Sequence, residues 1–397
     1  MKKLAERTER ITRSKTLFVT AKANQLKAQG EDIVVLTVGE PDFPTPDNIK
    51  QAGIKAINEN FTKYTAVGGI PDLKNAVVKK YKDDFGVEIT PKNVLCSNGA
   101  KHSLATVIQA VCEKDDEVIL PQPYWLSYPD IVRLADAKIV EIHTDETTEF
   151  KASAEMIEKA VTDKTKMIIL CSPSNPTGSI YSEKELRKIA EVVKKYDLYI
   201  IFDEIYEKLI FDGKKHFSMM MINDIKDNVI SINGVSKNYA MTGWRIGYAI
   251  ANEQIIDAAH NIQSHYTSNP SSIAQKAAIE AILGDQSEIE RMRQIFETRR
   301  NEGYELINTI PEIICCKPDG AFYFLVDFSY YYGKEFNGKK IKDNDDLCEF
   351  FIEELKVAAI SGSCFGSNQH VRFSFATSSE RFSLGIKRIK EGLKLLK

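Results

Sequence analysis

From about Pro71 to Leu283 the sequence alternates short apolar, β-branched runs with amphipathic stretches, and that alternation restricts the fold more than any other feature. Candidate strands fall at 117–120, 138–142, 167–171, 199–202, 228–232 and 245–251. Between them lie segments such as 183–196, where Leu186, Ile189, Ala190 and Val193 share one helical face. Strands that recur with a helix between each pair run parallel and are covered on both faces, which predicts an α/β fold with a largely parallel sheet. In such sheets ligands collect at the carboxyl ends of the strands, so that edge is where chemistry is sought.

The C-terminal part changes character. A long helical pattern over 288–310 is followed by a β-rich run at 320–328, a helix near 345–355 and strands near 357–360 and 370–376. The last segment puts Phe382, Ile386, Ile389, Leu393 and Leu396 on one face with lysines opposite. This suits a terminal helix packed on a smaller domain, with membrane contact as the alternative. No internal repeat or low-complexity linker is present.

Composition narrows the class. The net charge of −3 gives no basic footprint for nucleic acid, and no apolar run is long enough to span a bilayer. The first ten residues alternate Lys and Arg with Glu6 and Glu9 and lack the apolar centre of a signal peptide, so a cytoplasmic enzyme is expected. Seven cysteines, with no Cys-x-x-Cys pair, point to free thiols, and the six histidines show no metal-ligand spacing, so no metal is assigned. Gly333, Gly338 and Lys339 match the start of a phosphate-binding loop, but Lys340 stands where a Ser or Thr hydroxyl is needed, and the segment reads as a surface insertion.

Lys237 lies in a Gly/Ser-punctuated turn, 233–243, between two predicted strands, with Arg245 close by. A half-buried amine beside a second cation loses part of its charge, as a Schiff-base former requires; the alternative is a solvated lysine on a turn. Asp203 emerges where the strand 199–202 stops, either as a buried partner for a cationic ring or as the N-cap of a helix beginning at Glu204. Asn175 opens Asn-Pro-Thr-Gly, a turn that also carries a polar side chain to a strand end. Asn98 and Gly99 precede a helix whose free N–H groups suit a phosphate, or a routine helix start. Together these residues match the needs of pyridoxal 5'-phosphate. The lysine carries it, the aspartate keeps its ring nitrogen protonated, the helix start with Ser236 and Arg245 takes the phosphate, Asn175 and Tyr206 reach the ring oxygen, and Trp125 covers the ring face.

The motifs around these residues make the chain resemble the class I pyridoxal-phosphate aminotransferases of fold type I, nearest to the bacterial-type aspartate aminotransferases. They run from Gly39-Glu40-Pro41-Asp42-Phe43 through Tyr64, 68–71, 99–101, 123–128, 172–178, 203–206 and 236–247 to Arg372, Ala376 and Thr377. The resemblance implies a large cofactor domain (47–285) with a mostly parallel seven-stranded sheet covered by helices. It also implies a smaller α+β domain drawn from both termini, with 1–46 as N-terminal arm and part of that domain and 286–397 as its C-terminal portion. Lys237 is then the cofactor lysine and proton shuttle, and Gly99, Ala100 and Lys101 lie against the phosphate. Tyr64 reaches the phosphate of a second subunit, so that a homodimer with shared sites is the active unit.

Substrate contacts follow from charge. Arg372 offers a bidentate guanidinium to the α-carboxylate of an amino acid, or else forms a structural ion pair. The resemblance places the Gly39 backbone, Asn175 and Trp125 beside the same ligand. It assigns the distal carboxylate of aspartate to Lys101 with Ser14 and Thr16; the alternative for Lys101 is a neighbour of the phosphate. The expected reaction is ping-pong transfer of the amino group from L-aspartate to 2-oxoglutarate. Aromatic, kynurenine-like or prephenate-like donors, a fold type I lyase, and a non-catalytic ligand sensor are the alternatives.

Overall fold

The computed structural model describes residues 2–11 and 15–397, without the side chains of 15–18 and 20. Seven strands form the main sheet: β1 (Val94–Ser97), β2 (Glu117–Gln122), β3 (Lys138–His143), β4 (Thr165–Cys171), β5 (Tyr199–Asp203), β6 (Val229–Gly234) and β7 (Gly247–Ile250). Their order is β1-β7-β6-β5-β4-β2-β3, and β7 alone runs antiparallel to its neighbours. The α/β expectation holds, with two differences. β1 escaped the sequence reading because Val-Leu-Cys-Ser is short and buried on both faces, leaving no alternation to detect. β7 begins after Arg245, which adopts a left-handed conformation (φ 58°, ψ 50°) and so stands outside the strand. The segment between β6 and β7 holds only the short 3-10 turn Thr242–Trp244, so no crossover helix carries the chain back to the parallel sense.

Alternation along the strands fills two apolar layers. Ile168, Leu170, Ile200 and Phe202 pack on one face with Leu186, Ile189 and Val193, while Met167, Ile169, Ile201 and Ile230 pack on the other with Leu104, Val107 and Ile108. Each such side chain, when fully buried, contributes about 1.5–3 kcal/mol. The helix Glu183–Tyr196 spans the residues its pattern predicts. Ser182 and Glu185 close a capping box at its start, and Asp197 turns left-handed at its end to feed β5. Helix and strand thus deliver Asp203 to the carboxyl edge of the sheet.

A four-stranded antiparallel sheet, in the order Ile360–Ser361, His370–Ser374, Tyr323–Asp327, Ile314–Cys315, centres a second core. The N-terminal segment joins it, since Val34–Val35 pairs in parallel with Val357–Ala358. In the helix Ser379–Leu393 the residues Phe382, Ile386, Ile389 and Leu393 are buried in this core, which leaves no apolar face for a membrane. Among the described residues no helix is long and apolar enough to cross one. The stretch from Gly333 to Lys340 is a surface hairpin, Glu335–Phe336 against Lys339–Lys340, and not a strand-loop-helix phosphate site. All seven cysteines are free thiols. Glu146, Asp327 and His370 approach one another, but both ring nitrogens of His370 are already engaged, by Ser367 Oγ and Glu146 Oε1, each at 2.5 Å.

Candidate active site

The carboxyl ends of β1, β4, β5 and β6 and the start of β7 meet along one edge. Register puts Ser97 and Gly234 on either side of Gly247, and Asp203 between Cys171 and Ile232. The turns leaving these positions enclose a cavity of about 490 Å³ against the small sheet and the loop at 37–40. Among the described residues Lys101, Lys237, Arg245 and Arg372 line it, against only Glu40 and Asp203, so the cavity favours an anionic ligand.

At one end the helix Ala100–Val111 begins with Gly99 as N-cap, and no side chain caps it, so its first N–H groups face the cavity unpaired within the helix. Arg245 stands against this helix start, and Ser236 lines the same cavity. Two glycines make room. A Cβ on Gly99, whose φ is +86°, would stand 2.3 Å from Arg245 Nη2, and one on Gly247 would stand 2.1 Å from the Ala100 nitrogen. Arg245 bonds Thr242 O (3.0 Å) and Asn98 O (3.3 Å), and no carboxylate among the described residues pairs with it. Backbone N–H groups, a hydroxyl and an unpaired guanidinium are the donor set that a phosphate requires.

Lys237 is half-buried and its amine donates to Gly39 O. Burial pushes its pKa down to about 8, helped by Arg245, Arg372 and Lys101 and opposed by Glu40. Asp203 is 3 % exposed; burial raises its carboxyl to about 6, against the pull of a hydrogen bond from Tyr128 Oη to Oδ2 (2.7 Å) and another from Ile205 N–H to Oδ1 (3.1 Å). No helix begins at Glu204, so Asp203 is not a helix cap. A buried carboxylate with room for a cationic neighbour suits a protonated ring nitrogen. Tyr206 is buried, its hydroxyl 3.0 Å from that of Tyr323, and burial holds its phenol well above the usual range.

Arg372 is 3 % exposed and reaches the cavity from the small sheet. Its Nη1 donates to Asn175 Oδ1 (2.9 Å), its Nη2 to Thr37 O (3.0 Å), and its Nε has no partner. The Tyr323 and Phe365 rings lie 4.4 and 4.8 Å from the guanidinium carbon. No carboxylate among the described residues lies within ion-pair reach, which removes the structural ion-pair alternative. Because Asn175 spends its oxygen on Arg372, its amide N–H groups are left for the cavity. Lys101 stands 4.8 Å above the Trp125 ring, and Trp125 packs edge-on to Tyr128.

The structure therefore gathers Gly39, Ala100, Lys101, Trp125, Asn175, Asp203, Tyr206, Ser236, Lys237, Arg245 and Arg372 around one cavity, with Gly99 directly behind Arg245. Tyr64 is 92 % exposed and does not line the cavity of its own chain. Ser14 and the side chain of Thr16 lie outside the described residues. Sequence reasoning missed Thr37, Tyr128 and Tyr323. Tyr128, three residues after Trp125 in the motif 123–128, carried a faint signal; Tyr323, inside an apolar run, carried none.

Residues 31–389 match the family described as aminotransferase class I and II. The aspartate aminotransferase of Bacillus subtilis (strain 168) is 46% identical over 98% of each chain. The aspartate/prephenate aminotransferase of Nitrosomonas europaea is 44% identical, also over 98% of each. The crystal structure of the aspartate aminotransferase from Rhizobium meliloti superposes with a TM-score of 0.96 at 36% identity, covering 100% of both chains. A match that runs almost from end to end, on a fold whose strand ends converge on this cavity, leaves one conclusion: the chain belongs to the class I and II aminotransferases.

Proposed function

We propose that this aminotransferase holds pyridoxal 5'-phosphate in the cavity and transfers the amino group of L-aspartate to 2-oxoglutarate, giving oxaloacetate and L-glutamate by a ping-pong route. The observation that carries the reading is Arg372, a buried guanidinium with no carboxylate partner among the described residues, lining the same cavity as an unpaired phosphate-type donor set. The names of the Bacillus and Rhizobium relatives support aspartate as donor.

When bound, pyridoxal phosphate supplies an electron sink for the charge left as the α-proton departs. The first N–H groups of the helix Ala100–Val111, Ser236 and Arg245 hold its phosphate, Asp203 keeps its ring nitrogen protonated, and Tyr206 with the Asn175 amide binds its ring oxygen. Trp125 covers the ring. Arg372 and the Asn175 amide take the α-carboxylate of the substrate, with the Gly39 backbone beside it, and Lys101, assisted by Ser14 and Thr16, takes the distal carboxylate. Lys237, whose depressed pKa favours the free amine, would take up the α-proton at its Nζ and hand it back from the same face. Tyr64, exposed on its own chain, reaches the phosphate in a second copy, so the working unit is a homodimer. Seven free thiols suit a reducing cytoplasm.

A second reading, prephenate as an additional acceptor, draws on the Nitrosomonas relative's name and on Lys101, an exposed amine on the cavity lining beside the Trp125 ring. Mixing loaded enzyme with single amino acids and following the visible absorption tests the donor, and adding prephenate to the amine form so produced, with return of the original absorption as the readout, tests the second reading. Aspartate and glutamate convert the cofactor to its amine form fastest; a preference for an apolar or aromatic donor over both removes the aspartate reading.

A further inference from the structure

Behind the cofactor-facing residues the segment 203–207 has a second side. Asp203 and Tyr206 face the cavity, whereas Glu204 and Glu207 point away from it and are buried, Glu204 completely. Glu204 Oε2 accepts from Tyr81 Oη (2.8 Å) and Ser231 Oγ (2.9 Å), and Oε1 lies 3.4 Å from His216 Nε2, a ring stacked on Phe202. Its backbone N–H donates to Ile232 O (2.8 Å), in the strand that leads on to Lys237. Glu207 meets Lys80 at 2.6 Å, and Lys80 also meets Asp84 at 2.8 Å. The groups facing Glu204 therefore come from the helix Pro71–Phe85, from β6 and from the loop carrying His216 and Ser218. Burying a carboxylate here gains little stability over an apolar residue of similar size; what such buried networks supply is a fixed geometry.

We propose that Glu204 is a positioning residue for the cofactor site: it anchors the turn that presents Asp203 and Tyr206, and its charge acts on Asp203 from the hidden side. The neighbouring charge of Glu204 is one of the influences that raise the Asp203 carboxyl, after burial. This inference rests on the reading that Asp203 partners the cofactor ring.

The test uses the loaded enzyme. Glu204→Gln keeps the shape and an acceptor oxygen for Tyr81 and Ser231 but removes the charge. The pH midpoint of the visible absorption band is expected to fall by about half a unit or more, the order of effect of one buried charge on a near neighbour. The turnover number should fall while KM for aspartate stays within about twofold, since the substrate contacts are untouched. A merely structural role would lower Tm without moving the midpoint, and an unchanged midpoint in the folded variant overturns the proposal. Should Glu204→Gln not fold, Tyr81→Phe replaces it: losing the phenol donor leaves the carboxylate less screened, so the midpoint rises, and no movement again overturns it. Asp203→Asn separates the two readings. If it shifts the band and Glu204→Gln does not, only the present inference falls; if neither shifts it, the assignment of Asp203 falls as well.

Discussion

Replacing Arg372 by methionine should damage catalysis and spare, or even raise, the stability of the ligand-free protein. In the free cavity the guanidinium is 3 % exposed, has only Asn175 Oδ1 and Thr37 O as acceptors among the described residues, and leaves Nε unpaired there. Burial lowers its affinity for its proton, the mark of a charge that pays desolvation without a counterion. A substrate carboxylate would complete it with two charge-assisted hydrogen bonds, each about 1.5–3 kcal/mol; because the two share one carboxylate and are less than additive, the fork contributes roughly 3–5 kcal/mol. Arg372→Met should therefore lower kcat/KM for aspartate by about a hundredfold to a few thousandfold. Methionine fills a similar path between the Tyr323 and Phe365 rings without a buried charge, so Tm of the ligand-free variant should stay level or rise by about one or two degrees. Steady-state kinetics with aspartate and thermal denaturation without ligand provide the two numbers. Retention of kcat/KM within about threefold, or a Tm lowered by several degrees as when an ion pair is broken, would refute the reasoning.

For Lys237 the prediction concerns pH: with its amine at about 8 in place of 10.5, recombination of ligand-free protein with cofactor should accelerate through pH 8 and level off above it. Between those two values the unfolded chain binds the extra proton, so this group's contribution to stability rises with pH, and the stability advantage of Lys237→Ala over the parent should shrink across that window; parallel curves would count against the shift. Asp203→Asn should slow the proton-transfer step in single-turnover experiments far more than it weakens substrate binding, and an unchanged single-turnover rate would return Asp203 to a structural role. Lys101→Ala should cost aspartate a contact worth about 1.5–3 kcal/mol while phenylalanine loses little, read as the ratio of the two kcat/KM values; equal losses assign Lys101 to the cofactor phosphate.

The sequence by itself determined the elements whose signals are local. The helix Glu183–Tyr196 was legible to the residue because the apolar residues of its buried face recur within a few positions of one another, and β2 to β6 were legible as apolar runs between turn residues. Strand ends in a parallel sheet share an edge, so the meeting of Lys237, Asp203 and Asn175 was foreseeable from their positions alone. Tertiary structure alone decided the rest. That Tyr128 ties Asp203 from 75 positions away, that Arg372 reaches Thr37 across 335, and that no carboxylate among the described residues pairs with Arg372 are facts about which side chains meet after packing. Periodicity says which face of an element is buried but not against what, and a short fully buried strand such as β1 or a reversal such as β7 leaves no periodic trace. The two sides of the segment 203–207 illustrate the limit: four polar residues in five positions look alike in sequence, and only the fold sends Asp203 and Tyr206 to the cavity and Glu204 and Glu207 into the protein behind it.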